Sequence, residues 1–72
     1  MKLDLATVLR AASALSPAVA ALPAIKRLFD AGVSMLSEKD QAVAQEAYAD
    51  LIADNADGHR RLQEKLAAAA RD

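Results

Sequence analysis

The chain has 72 residues, a net charge of −1 and no cysteine. That length makes one domain, and the lack of cysteine removes disulfides and thiolate metal sites from the ways a small fold can be held. A core of this size rarely supplies more than ~3–5 kcal/mol, so oligomerisation is the stabilising device left to expect.

Alanine contributes 19 residues and leucine 10, while Phe29 and Tyr48 are the only aromatics. Alanine is the best helix former and a poor strand former, so the composition predicts an all-α fold. The charge is unevenly spread. Residues 1–36 carry +2, residues 37–57 carry −5 and residues 58–72 carry +2. Nucleic-acid binding, which usually needs a strongly basic surface, is not expected.

The first helix is predicted from about Leu3 or Asp4 to Leu15. Leu5, Val8, Leu9, Ala12 and Leu15 repeat at helical spacing and form one apolar stripe. Asp4 suits the start as a cap and as a negative charge at the positive end of the helix dipole. Met1-Lys2, the Ala/Leu-rich stretch and Ala18-Val19-Ala20 imitate a secretory signal. Asp4 and Arg10 sit where such a signal must be uncharged, so secretion is not expected and the location reads as cytoplasmic or virion. The longest uncharged run, Ala11 to Ile25, contains two prolines and is shorter than the ~20 residues a membrane span needs.

Ser16-Pro17 breaks the first helix and is equally a start signal, with serine as cap and proline as first helical residue. Pro23 either kinks a helix that began at Pro17 or begins one itself, with Leu22 as a poor cap. In both cases Ala24 to Leu36 is predicted helical. Leu22, Ile25, Phe29, Gly32 and Leu36 form its seam, and Leu28 and Met35 widen it. An apolar face that wide asks for more than one neighbour, and Gly32 within it permits close helix approach.

Ser37 caps the next helix, with Glu38, Asp40 and Gln41 in its first turn. Beyond it, Tyr48, Ile52, Asn55, His59, Leu62, Leu66 and Ala69 follow at spacings of 4, 3, 4, 3, 4 and 3, a heptad seam. The seam crosses Asp54-Asn55-Ala56-Asp57-Gly58, which reads by itself as a turn. A split chain has Asp57 capping a final helix, whereas the unbroken phase favours one long helix from about Glu38 to Ala70. In the long helix Gly58 weakens the fold by ~1 kcal/mol relative to alanine, so Gly58→Ala is expected to stabilise it. That helix is roughly 50 Å long at ~1.5 Å per residue, more than two short N-terminal helices can cover. The expected architecture is therefore one domain over 1–72, with apolar helices in 1–36 and a long amphipathic helix in 37–72.

The seven seam residues are the candidate interface. Asn55 has the character of the polar core residues that fix register in coiled coils. His59, placed among Ile52, Leu62 and Leu66, reads as a buried seam residue whose charging on acidification weakens self-association. As a catalytic base it has no serine near it in sequence and only Asn55 one turn away. Asp54, Asn55 and Asp57 lack the ligand spacing of a calcium loop. Arg61 lies four residues after Asp57 and Arg60 four before Glu64, so both have helical ion-pair partners. A membrane-surface helix needs a basic polar face and aromatic anchors that the N-terminal half lacks.

The stretch Asp40-Gln41, Ala47-Tyr48-Ala49-Asp50 and Asp54-Asn55-Ala56-Asp57-Gly58-His59-Arg60-Arg61-Leu62-Gln63-Glu64-Lys65-Leu66 resembles small helical proteins encoded in tailed-bacteriophage genomes. The resemblance implies a role in the virion or its assembly and supplies no active residues. The expectation is a non-enzymatic assembly protein without cofactor or small-molecule substrate, its partners being copies of itself or other assembly proteins. A monomeric adaptor that binds a partner helix is the alternative.

Overall fold

The first helix starts where the sequence offers a cap. In the computed structural model, which describes residues 3–71, α1 spans Leu5–Ser13 and the Asp4 carboxylate accepts a 2.8 Å hydrogen bond from the Thr7 N–H. The Met1-Lys2 start and Asp72 lie outside the described residues. The Asp4 carboxyl is held below the usual carboxylate range by these bonds to Thr7. Helix α1 buries Val8, Leu9 and Ala12, the centre of the predicted stripe.

Both prolines begin helices. Ser16 accepts from the Val19 N–H at 3.2 Å and opens α2, Pro17–Ala20. Helix α3, Pro23–Val33, then begins at its own proline, and Leu22 contributes no side-chain cap. The expected pair of N-terminal helices is thus three, because each proline ends the helix before it and pre-shapes the first turn of the next. Gly32 is not a close-approach site, since a Cβ there would meet Leu3 at an ordinary 3.6 Å.

Helix α4, Glu38–Ala53, is capped by Ser37 through the Asp40 N–H at 3.3 Å. It ends well before Ala70. Asp54 takes a left-handed conformation, φ 51° and ψ 50°, and α5 runs separately over Ala56–Arg71. The long helix expected from Glu38 to Ala70 is therefore a hairpin. Asn55, not Asp57, caps its second arm. Its side-chain oxygen accepts from the Gly58 N–H at 2.7 Å, and its carbonyl accepts from the His59 N–H at 2.9 Å.

The energetics explain the break. A left-handed residue other than glycine costs about 1–2 kcal/mol, less for aspartate, whose short polar side chain tolerates that region. Folding back lets α5 bury Leu62 and half-bury Leu66 and Ala69 against α1 and α4. Burying one leucine contributes about 1.5–3 kcal/mol, so the hairpin wins. The result measures 30 × 27 × 18 Å with a radius of gyration of 11.2 Å. That radius equals the ~11 Å expected of a globule of this length, and a ~50 Å helix does not fit within it.

Two contiguous clusters form the core. Leu9, Ala12, Ala20, Ala47, Tyr48, Leu51 and Leu62 make one, and Val8, Val33, Leu36 and Ala44 make the other, with Leu5 and Phe29 packed against both. Tyr48 is almost fully buried. Its hydroxyl donates to the Ala20 carbonyl, and its ring lies 4.3 Å from that of Phe29. One bond thus fixes α2 to α4 and satisfies a phenol that would otherwise be costly to bury. Burial raises the Tyr48 pKa above its ordinary value.

Candidate interaction surface

The seven seam residues do not form one stripe. Tyr48 and Leu62 sit in the same core cluster, with Leu66 and Ala69 packed against it. The middle three surround the turn and face outward. Ile52 is 40% exposed, Asn55 is an exposed cap, and His59 is exposed with Nε2 3.5 Å from Asp54 Oδ1. The outer members are thus covered within the chain, Tyr48 by Ala20 and Phe29 and the α5 members by α1 and α4, so no second chain is needed to cover them. The expectation of a buried His59 is corrected by the turn, which carries it to the surface.

The charges separated along the sequence meet across the α4–α5 hairpin. Asp50, from the acidic segment, is 8% exposed. It accepts from Lys65 Nζ at 2.7 Å and from Arg61 Nε at 3.0 Å. Burial pushes the Asp50 carboxyl up, but the bonds and charges of Lys65 and Arg61 outweigh it and hold the group below the usual carboxylate range. Arg61 therefore pairs with Asp50, not with Asp57 as its spacing predicts. Arg60 does pair with Glu64, at 2.9 Å.

A second polar cluster joins α3 to α4. Lys26 Nζ lies 2.5 Å from Asp30 and 2.9 Å from Gln45, whose amide donates to Asp30 at 2.9 Å. The same ammonium stands 5.4 Å from the Tyr48 ring centroid and 5.8 Å from that of Phe29, within cation–π range. The bonds from Gln45 and Lys26 lower the Asp30 pKa.

One cleft between α1, α4 and α5 gathers Ser13, Asp54 and His59, with Leu15, Leu51 and Leu62 beneath. Folding places in the same cleft as the histidine a serine that sequence separation hides. The Ser13 hydroxyl, however, donates to the Arg10 carbonyl at 2.9 Å, and His59 and Asp54 are both exposed. That set does not assemble an activated nucleophile. Among the described residues no group of three or more His, Cys, Asp or Glu side chains is arranged to hold a metal. No helix among them is long and apolar enough to cross a membrane.

The unpartnered apolar surface lies on α3. Leu28 is 71% exposed, and Met35, in the turn that follows the helix, is 70% exposed. Leu22 adds to it at 52%. Between α1 and α3 a shallow groove runs over Ala11, Ala12, Leu15, Ile25, Leu28 and Phe29, and continues past Thr7, Val8 and Gly32. The signal for this face was the width of the α3 apolar stripe. Asp50 gave none, lying two residues from either neighbouring seam position, Tyr48 and Ile52. No family model, curated protein or solved structure matches this chain.

Proposed function

We propose that this chain is a non-enzymatic helical assembly module that packs through its α1–α3 face, against another copy or against a helix of a larger complex. The observation that carries the reading is the 71% exposure of Leu28 on the rim of the apolar groove between α1 and α3. Exposed apolar side chains beside an apolar groove mark a contact site. The segment holding the groove is net +2, which favours a partner helix with an acidic flank. Buried Asp50 is engaged by both Lys65 and Arg61, which supports a structural role for all three. Setting within a virion rests on the resemblance of residues 40–66 alone.

The test is light scattering over a wide concentration range for wild type and Leu28→Glu. Self-association through this face predicts a concentration-dependent mass that the variant abolishes, with its melting temperature unchanged at concentrations where wild type is monomeric. A wild-type mass that stays monomeric throughout removes the self-association arm and leaves the adaptor reading, in which the same face binds a foreign helix.

A further inference from the structure

The hairpin that replaces the long helix is joined by very little. Asp54 is the one non-glycine residue with positive φ among the described residues, and Asn55 alone separates it from α5. No proline lies near the junction, and the heptad phase from Tyr48 through Ile52, Asn55 and His59 to Leu62 passes it unbroken. The same residues therefore satisfy a turn and a straight helix. Short hinges under strain between an element and its docking site favour exchange of that element between copies.

We propose that α5 is exchangeable: on straightening of Asp54-Asn55, α5 leaves its own α1–α4 surface and docks on that of a second copy, giving a reciprocal dimer. The contacts α5 makes away from the hinge transfer to the partner, while the Asn55 cap at the turn is replaced by helix. Leu62 enters the same core cluster, and Arg61 and Lys65 reach the partner's copy of Asp50. The gain lies at the hinge. Straightening relieves the left-handed residue and sets Ile52, now 40% exposed, along the line where the two helices cross. The exchange uses the α4–α5 surface and does not rest on the α1–α3 face.

The Asp50–Lys65 pair supplies the assay, because at 2.7 Å a carbodiimide converts it to an amide without a spacer. Natural-abundance and ¹⁵N-labelled chains are unfolded together, refolded at high concentration, separated by mass and cross-linked. Exchange predicts a dimer whose 50–65 cross-links include mixed-isotope peptides in the proportion random pairing gives. Asp54→Ala, which disfavours the left-handed turn and favours helix, raises the dimerisation constant about a hundredfold, roughly tenfold per hinge. Asp54→Gly, at ease in the turn, lowers it. A dimer carrying only same-isotope 50–65 cross-links overturns the proposal and points to the α1–α3 face instead. Absence of any dimer, in wild type and in Asp54→Ala, also overturns it. Should Asp54→Ala fail to fold, the wild-type refold and Asp54→Gly carry the test alone.

Discussion

Gly58→Ala separates helix propensity from packing. By propensity alone the change stabilises a helix by up to ~1 kcal/mol, and Gly58 has no positive φ to protect. Its surroundings reverse the sign. A Cβ built there lies 2.5 Å from the Asp50 carbonyl oxygen, 3.1 Å from Asn55 Oδ1 and 3.4 Å from Ala53 Cβ. Real Cβ atoms essentially never approach within 3.0 Å, so α4 and α5 must part by at least about half an ångström. The first obstacle is backbone and cannot rotate away. The second is the cap that holds the Gly58 N–H. Overpacking against backbone falls in the upper part of the usual range, about 2–3 kcal/mol, so with ~1 kcal/mol returned by propensity the net loss is about 1–2 kcal/mol. For a domain of this size that lowers the melting temperature by roughly 4–16 °C. Thermal melts followed by circular dichroism at low micromolar concentration keep the readout on the isolated chain. An unchanged or raised midpoint would refute the close crossing of α4 and α5 at Gly58.

Asp50→Asn removes the charge that Lys65 and Arg61 share and destabilises the fold by about 1–3 kcal/mol at neutral pH, measured by urea titration. Because the folded Asp50 pKa lies below its unfolded value, its contribution is complete above about pH 4 and is lost as pH falls through the folded value. Melts from pH 7 to 2 should therefore show a steeper acid loss in wild type than in Asp50→Asn. Tyr48→Phe leaves the buried Ala20 carbonyl without its donor and lowers stability by about 1–2 kcal/mol, with equal denaturant slopes for the two proteins.

Much of the helical framework was legible because its signals are local. Asp4, Ser16 and Ser37 each cap a helix as their side chains predict, since a cap needs only the three residues that follow it. Pro23 was ambiguous because a proline six residues into a helix that began at Pro17 and a proline at its own helix start look alike in sequence. What settles it is the position of Leu22, which has an extended backbone and a side chain 52% exposed. Asp50 was illegible for a different reason. Its partners lie 11 and 15 residues away, on a helix whose return depends on the turn between them. No local pattern encodes a pair that the turn itself creates.

The turn shows what a heptad does and does not specify. The 4-3 spacing from Tyr48 to Ala69 states which side chains share a face, and the outer members do meet in one core. It does not state whether the facing helix comes from another chain or from the same chain folded back. That choice falls to residues outside the repeat. Asp54 accepts the left-handed conformation, Gly58 allows α5 to cross within touching distance of the Asp50 carbonyl, and Asp50 draws Arg61 and Lys65 across the gap. The Gly58 crossing and the Asp50 pairs act only where α5 packs against an α4, while the left-handed Asp54 is the strain that turning within one chain carries. The two-residue linker therefore carries a balance that the seam leaves open, and single substitutions at Asp54 and Gly58 address it from opposite sides. A change at Asp54 alters the strain of turning, whereas a change at Gly58 alters how closely the turned helices pack.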